Sequence, residues 1–209
     1  MSEKYYVVFK GKKPGIYRTW DECQSNIDKY SNAIYKSYNN YPLALAAFKS
    51  WEKNKKYIDN KIIIDYNLLS NGPITDSIVV DAACSGNPGP VEYRGIYLMN
   101  NSEIFRVGPI EYGTNNIGEF LAIVHALALI KSTNNYKKDI PVYSDSKNAI
   151  IWVKEKKVKT RLVKTERNIY LFELIDRATY WLNNNTYSNP ILKWETYLWG
   201  EIPADFGRK

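Results

Sequence analysis

One stretch decides the fold of this chain of 209 residues: Val79-Val80-Asp81-Ala82-Ala83-Cys84-Ser85-Gly86-Asn87-Pro88-Gly89-Pro90. The apolar run at 78–80 predicts a short buried strand, and the Gly, Asn and Pro residues at 86–90 predict a turn after it. Asp81 would then be an acid inside a buried strand, which is costly unless a cation offsets its charge. The alternative is an Asp at the strand end that caps the turn.

Two further acids occupy settings that also suit a metal site. Glu119 precedes the apolar run Phe120–Ile130, which predicts a central buried helix with Glu119 in its first turn. Glu119 could instead close a capping box with Asn116. Asp145 follows a short predicted strand, at the carboxyl end where α/β sheets place their sites, and its alternative role is a helix N-cap.

The C-terminal segment offers two more acids, Glu201 and Asp205. Pro203 suits the first turn of a short terminal helix that would carry Asp205. Because Pro203 lies between the two acids, we expect Glu201 to precede that helix on a more mobile turn.

The first 50 residues predict a compact ββαβα unit. Thr19 and Glu22 form a capping-box pattern at the start of the first helix, and Pro42 suits the first turn of the second. The predicted strands and helices are 5–9, 16–18, a helix from 20, 33–38, and a helix from 42.

Trp20, Tyr35 and Lys36 are the residues of interest in this unit. Aromatic faces beside cations suit a sugar-phosphate backbone, since rings pack on sugars or bases while cations meet phosphates. Trp20 could instead be a core residue at the start of a helix.

The positive charge is concentrated in the first part of the chain. Residues 1–60 contain 11 Lys/Arg and 6 Asp/Glu, a net of +5, whereas the rest contributes only +2 to the total of +7. This asymmetry favours a polyanionic partner such as nucleic acid. A merely basic domain is the alternative. For the basic stretch at 154–164, a solvated charged face and a phosphate-contacting edge both stay open.

The remaining features bound location and organisation. Two cysteines far apart in sequence, Cys23 and Cys84, indicate no disulfide framework, and no stretch of ~18 apolar residues predicts a membrane span. With an N-terminus lacking an apolar core, these features predict a cytoplasmic protein. Residues 51–75 predict a linker whose apolar residues pack on a neighbouring domain.

The N-terminal pattern resembles the hybrid-binding domain, also called the caulimovirus viroplasmin domain, of type 1 ribonucleases H. The resemblance rests on 5–17, on Thr19-Trp20-x-Glu22-Cys23 and on Ala33-Ile34-Tyr35-Lys36-Ser37-Tyr38. It implies that Trp20, Tyr35 and Lys36 contact an RNA–DNA hybrid, with double-stranded RNA as an alternative ligand. Ser37 stands where relatives often have a second Lys.

The motifs around Asp81, Thr114-Asn115-Asn116-x-x-Glu119 and Ser144-Asp145-Ser146 occur in the order found in ribonuclease H. Residues 76–209 resemble its catalytic domain, most closely the bacterial type that carries a hybrid-binding domain. The resemblance implies an α/β fold, a mixed five-stranded sheet with flanking helices, preceded by the small ββαβα domain. The implied domains are 1–50, a linker at 51–75, and 76–209.

The implied activity is an endonuclease that hydrolyses the RNA strand of RNA–DNA hybrids and leaves 5′-phosphate and 3′-hydroxyl ends. By motif, four acids would bind two Mg²⁺ ions, with Mn²⁺ as a substitute and Glu201 as an auxiliary acid: Asp81, Glu119, Asp145 and Asp205. Hard divalent cations favour oxygen ligands, and two of them suit an in-line displacement. A non-catalytic binding module and another nuclease of the same superfold are the alternatives.

The resemblance also implies the nucleic-acid contacts. Gly86, Asn87 and Asn115 would meet 2′-hydroxyl groups of the cleaved strand, which is how proteins distinguish RNA from DNA. Thr114 and Asn116 would hold a phosphate of the DNA strand, and Lys147 would add a phosphate contact. These six positions, with Trp20, Tyr35 and Lys36, complete the predicted nucleic-acid set.

The chain departs from many ribonucleases H in one respect, the loop His near the last Asp. Its only histidine is His125, within the predicted central helix, where we expect a packed side chain. The role of the loop His would then pass to Glu201 or Lys209.

Overall fold

Two units make up the chain, and each is built around its own sheet. The computed structural model describes residues 4–55, 57–58 and 61–207. The first unit comprises 1–73 with 195–200, and the second comprises 74–194 with 201–209. The bounds 1–50, 51–75 and 76–209 stay a prediction.

The first unit has the element order ββαβα, as predicted. Strand β1 is central and pairs antiparallel with β2 and with β3. The elements are β1 Tyr5–Lys10, β2 Gly15–Tyr17, α1 Trp20–Ile27, β3 Ile34–Tyr38 and α2 Tyr41–Asn54.

Local sequence signals set the helix starts in this unit. Thr19 caps α1, and its side chain and that of Glu22 form the predicted capping box. Asn40 caps α2 through a bond from the Leu43 amide, 2.8 Å, and Pro42 lies in the first turn. Helix α2 then buries Leu43 and two alanines in a core shared with Val7 of β1.

The described part of the predicted linker up to Pro73 belongs to the first unit. It includes the end of α2, the hairpin of β4 Tyr57–Ile58 and β5 Lys61–Ile62, and a 3-10 turn at Tyr66–Leu68. Ile62 is buried in the core of this unit, and Ile64 and Leu69 pack against that core. The apolar residues of the predicted linker therefore do pack on a domain. Helix α6, Thr196–Trp199, also belongs to this unit.

The second unit contains the mixed five-stranded sheet that the resemblance implied. Its strand order is β10-β9-β6-β7-β8, with β6, β7 and β8 antiparallel and β9 and β10 parallel to β6. The elements are β6 Ile78–Cys84, β7 Gly89–Tyr97, β8 Ser102–Gly113, α3 Asn115–Ser132, β9 Val142–Ser144, α4 Lys147–Lys154, α5 Ile169–Asn184 and β10 Ile191–Lys193. Among the described residues, no helix is long and apolar enough to cross a membrane.

Helix α3 is the central buried helix that its composition predicts. Its core residues include Phe120, Ile123 and Leu127, which are fully buried. At Gly118, a Cβ atom would lie 2.7 Å from the Ala82 Cβ. The glycine therefore lets the start of α3 approach β6 closely, which brings the next residue, Glu119, toward the middle of that strand.

The prediction of a short terminal helix that carries Asp205 is wrong. Residues 201–207 form a turn and irregular backbone, with an Asp205 amide to Ile202 carbonyl bond of 2.9 Å, rather than a terminal helix. Pro203 fits a turn as well as it fits a helix start. Strand β8 spans 12 residues, Ser102–Gly113. It tolerates Pro109 because it is an edge strand.

Candidate active site

The structure brings Asp81, Glu119 and Asp145 together. Each offers one carboxylate oxygen, and these three atoms lie within 4.8 Å of one another. Asp81 is the fourth residue of β6 and is 6% exposed, so it does not cap a turn at the strand end. Such a group of oxygens could hold a divalent metal ion.

Asp205 joins these three acids in one cleft. The cleft has a volume of about 450 Å³, and its lining includes all four acids, Asn115 and Phe206. Glu201 is exposed and does not line this cleft, but its charge disfavours ionisation of Asp145. The tail acids thus differ in setting, one within the cleft and one outside it.

Burial is the main electrostatic feature of the first two acids. It raises the pKa of Asp81 to about 6, to which the charges of Asp145 and Asp205 add, while a hydrogen bond with Glu119 opposes the rise. Burial and the charge of Asp81 raise the pKa of Glu119 well above its ordinary value. A hydrogen bond between two carboxyl groups needs one proton, so this pair shares a proton between Asp81 and Glu119.

The pKa of Asp145 is raised less strongly, because the charge of a nearby lysine opposes the rise. Burial raises its pKa, the charge of Lys193 on β10 opposes that rise, and the charges of Glu201 and Asp205 support it. The strand order places β10 beside β9, so the lysine comes from the strand next to the one that Asp145 follows.

Two alternatives for the acids are ruled out by hydrogen bonds. Ser146, rather than Asp145, caps α4 by accepting from the Ala149 amide. Glu119 is the fifth residue of α3, beyond the first turn in which we expected it, and its side chain bonds to Asp81 and accepts from the Ser144 hydroxyl at 3.0 Å. Ser144 is a partner of the acids that sequence reasoning missed, although it belongs to the quoted Ser-Asp-Ser motif.

A second cavity, of about 640 Å³, collects several of the predicted nucleic-acid residues. Asn87, Thr114 and Asn116 line it together with Lys159 and Arg161. The two cations belong to the basic stretch whose role the sequence left open. They place positive charge beside polar side chains, with Lys159 also paired to Glu155 at 2.6 Å. This combination suits a phosphate group.

The other predicted contacts of the second unit are more dispersed. Asn115 lines the acidic cleft rather than the second cavity. Gly86 lies in the turn after β6 with a φ of 113°, a conformation that glycine adopts without strain. Lys147 is the exposed first residue of α4 and lines neither cavity.

In the first unit, Trp20 and Tyr35 form an exposed aromatic surface. Their ring centroids are 5.9 Å apart, and the Tyr6 ring lies 5.7 Å from Trp20. Trp20 is 41% exposed, so it is not a core residue. Lys36 follows Tyr35 on β3, and successive side chains of a strand point to opposite faces. The lysine therefore starts from the other face of the sheet.

His125 is packed, as predicted. Its ring stacks on Phe105 at 4.0 Å between centroids and meets Tyr93 edge-on, and burial lowers its pKa. Lys209, the other residue considered for the role of the loop His, lies outside the described residues.

Comparisons with known proteins agree with this arrangement. Residues 76–187, more than half of the chain, match the family described as RNase H, and residues 4–48 match the family described as Ribonuclease H1 N-terminal domain.

Individual relatives match over shorter lengths. The ribonuclease H of Saccharomyces cerevisiae is 50% identical over 40 residues, 19% of this chain and 12% of that protein. The ribonuclease H of Ehrlichia chaffeensis is 36% identical over 85 residues, 39% of this chain and 56% of that protein. The chain thus spans about half or less of these relatives. The crystal structure of ribonuclease H1 from Halobacterium salinarum is 22% identical, with a TM-score of 0.36 over 56% of this chain and 83% of that one.

The raised pKa of Asp81 predicts a stability change that depends on pH. A carboxyl group whose pKa rises on folding contributes stability below its unfolded pKa and loses it as the pH rises through the folded pKa. The shift from 3.8 to about 6 limits the effect to about 3 kcal/mol. Without divalent metal, Asp81→Asn should therefore unfold at a higher temperature than the parent above pH 6, and this gain should shrink as the pH falls toward 4.

The matched control is Asp76→Asn. Hydrogen bonds from Lys137 and Tyr97 lower the pKa of Asp76, so its replacement should give no gain above pH 6. Thermal unfolding of the three proteins across this pH range is the measurement. A stability gain for Asp81→Asn that stays constant with pH would contradict the electrostatic cause.

Proposed function

The chain belongs to the ribonuclease H family, and from that premise we propose that it is an endonuclease that hydrolyses the RNA strand of RNA–DNA hybrids. The observation that carries the proposal is the cleft in which Asp81, Glu119, Asp145 and Asp205 meet. Buried acids that repel one another are costly to a fold, so their convergence indicates a cationic partner. The proposal includes a cytoplasmic location, which suits two unpaired cysteines.

The four acids would hold two Mg²⁺ ions, for which Mn²⁺ could substitute. Their carboxylate oxygens are the ligand type that these cations prefer. When bound, such a pair supplies activation of the attacking water and stabilisation of the leaving oxygen. Hydrolysis at the 3′-oxygen side of the phosphate would leave 5′-phosphate and 3′-hydroxyl ends.

The protein's own groups would set the geometry of this chemistry. The Ser144 hydroxyl donates to Glu119 and accepts from the Ser146 amide at 3.1 Å, which orients the buried acid. Lys193 offsets part of the negative charge near Asp145. These contacts keep the acids in place while their protonation changes.

Selectivity for a hybrid would come from groups on either side of the acids. Gly86, Asn87 and Asn115 would contact 2′-hydroxyl groups of the RNA strand. Thr114 and Asn116 would bind a phosphate of the DNA strand, and Lys159 and Arg161 lend charge to the cavity that these two residues line. Lys147 is exposed and would add a peripheral phosphate contact.

The N-terminal unit would raise affinity for the substrate. Its exposed Trp20 and Tyr35 rings are 5.9 Å apart and suit packing on sugars or bases. Lys36 would meet a phosphate from the other side of the strand. Double-stranded RNA is the second ligand that this unit could bind.

The test of the proposal is a comparison of substrates of one sequence: end-labelled RNA–DNA hybrid, double-stranded RNA and double-stranded DNA, each with Mg²⁺, Mn²⁺ or chelator. We expect cleavage only of the RNA strand of the hybrid, and only with metal. The products should carry 5′-phosphate and 3′-hydroxyl ends, which a ligase can join. Binding of the hybrid without cleavage would favour a non-catalytic module. Cleavage of duplex DNA would favour another nuclease of the superfold.

A first prediction separates chemistry from binding. Asp81→Asn keeps the side-chain shape but removes a charged ligand, so cleavage should fall by about 10²-fold or more. The affinity for the hybrid, measured in chelator, should change little. The variant Asp76→Asn, at a half-buried residue outside the cleft, is the control. If Asp81→Asn cuts at near the parent rate with Mg²⁺, the metal assignment fails.

A second prediction concerns the aromatic surface of the N-terminal unit. The double variant Trp20→Ala and Tyr35→Ala should weaken hybrid binding by about 10-fold or more while kcat is retained, since stacking contributes about 1–3 kcal/mol per base. Tyr30→Ala removes another exposed aromatic of the same unit and should have little effect.

The charge of Lys36 gives this test an independent readout. Lys36→Gln should reduce the slope of log affinity against log salt by about one, because one phosphate contact is lost. An unchanged slope would remove the lysine from the proposed interface.

A third prediction separates the two tail acids. Glu201 lies outside the cleft and Asp205 inside it, so Glu201 would act in metal exchange or product release. Glu201→Gln should slow steady-state turnover more than the single-turnover rate, whereas Asp205→Asn should impair both. Burst kinetics at saturating Mg²⁺ measure the difference. Equal losses in both regimes for Glu201→Gln would show that it serves the chemical step.

A further inference from the structure

The backbone that carries Asp205 differs from that of the other acids. Asp81 lies in a strand, Glu119 lies in a helix, and Asp145 directly follows a strand, but Asp205 lies in the irregular segment 201–207. Regular hydrogen bonding fixes the first two, and Asp145 lies in a short link between β9 and α4. An irregular segment such as 201–207 needs other partners for its polar backbone groups. We propose that Arg94 of β7 supplies them and is the positioning residue for Asp205.

Two short hydrogen bonds join Arg94 to this segment. Its Nε donates to the Ala204 carbonyl oxygen at 2.7 Å, and its Nη2 donates to the Asp205 carbonyl oxygen at 2.7 Å. One planar guanidinium thus binds two consecutive peptide carbonyls that lie more than 100 positions away in sequence. Such a fork restrains the orientation of the segment as well as its distance from the sheet.

The remaining contacts of Arg94 hold its guanidinium group in place. The residue is 6% exposed, and its Nη1 donates to the Glu103 carboxylate at 3.1 Å, which balances the buried charge. The guanidinium carbon lies 4.8 Å from the centre of the Phe206 ring. A buried charge with several satisfied donors is costly to move, so Arg94 holds a fixed place.

The sheet connects this clamp, the two hydrogen bonds from Arg94 to the Ala204 and Asp205 carbonyls, to the acid cluster. Arg94 on β7 is the register partner of Asp81 on β6, and partners across antiparallel strands project from the same face. The strand pair that carries the first acid therefore also carries the group that holds the last one. Beyond the clamp, the Gly207 amide donates to the Asp205 carboxylate at 3.1 Å, which orients the side chain itself.

This inference rests on the proposed function for its consequence. If Asp205 is a metal ligand, loss of the clamp should weaken metal binding rather than substrate binding. Partners that orient a ligand typically contribute 10–100-fold to metal affinity or activity. The role of Arg94 should thus appear as a higher Mg²⁺ requirement with the KM for hybrid almost unchanged.

The experiment compares Arg94→Met, Arg94→Lys and Arg106→Met in the full chain. Arg106 shares two partners with Arg94, since it also pairs with Glu103, at 2.7 Å, and lies 5.3 Å from the Phe206 ring centre. Arg106→Met therefore controls for loss of these shared contacts while the bonds from Arg94 to the tail remain. Arg94→Lys keeps the charge but cannot fork across two carbonyls.

Two readouts are made on each protein. Amide hydrogen exchange followed by mass spectrometry reports the order of residues 202–207 without reference to activity. Hybrid cleavage gives the half-saturating Mg²⁺ concentration and, at saturating Mg²⁺, the KM for hybrid. We expect faster tail exchange and about a 10-fold higher Mg²⁺ requirement for Arg94→Met, a smaller change for Arg94→Lys, and parent values for Arg106→Met.

The clamp is overturned if tail exchange in the folded Arg94 variants equals that of the parent, or if Arg106→Met loosens the tail equally. If Arg94→Met fails to fold, Arg94→Lys decides by the same criteria. Calorimetric Mg²⁺ titration of Asp205→Asn with and without Arg94→Lys adds a cycle, in which additive losses would also overturn the role. A parent that does not cleave hybrid would refute the proposed function, while the exchange data would still decide the clamp.

Discussion

The repulsion among closely placed, largely buried carboxylates is the constraint on which the second unit depends. Asp81, Glu119 and Asp145 place oxygens within 4.8 Å of one another, and burial raises the pKa of each. Left alone, such a cluster keeps a proton between Asp81 and Glu119 and lowers the stability of the fold above the pKa of Asp81. A divalent cation relieves both the repulsion and the cost of burial, so stability and chemistry share one cause.

The fold holds this unfavourable group by ordinary packing around it. Gly118 lets α3 approach β6, the antiparallel pairing of β6 with β7 fixes the strand of Asp81, and Ser144 orients Glu119. These contacts require little further ordering of the chain, because a helix, a strand and a buried hydroxyl are already rigid. The segment 201–207 is the exception, because it has no regular structure. Its backbone carbonyls at 204 and 205 are instead bound by the buried Arg94.

The sequence predicted the parts of the site that local patterns encode. The apolar run around Asp81 predicted that this acid lies in a buried strand, and the apolar run after Glu119 predicted that this acid is buried at a helix. The structure confirms both. The sequence could not predict the bond from Arg94 to residue 205, since no pattern links positions so far apart. The same limit applies to the tail, where Pro203 fits a turn or a helix start, and tertiary contacts decide.

The most direct test of the central claim is a calorimetric Mg²⁺ titration at about pH 6.5, repeated in buffers of different ionisation enthalpy. Metal binding to a cluster that keeps a proton between Asp81 and Glu119 must displace that proton. The account therefore predicts saturable binding with release of about one proton per protein, and loss of that release in Asp81→Asn. Saturable binding with no proton release, or no binding at millimolar Mg²⁺, would contradict it.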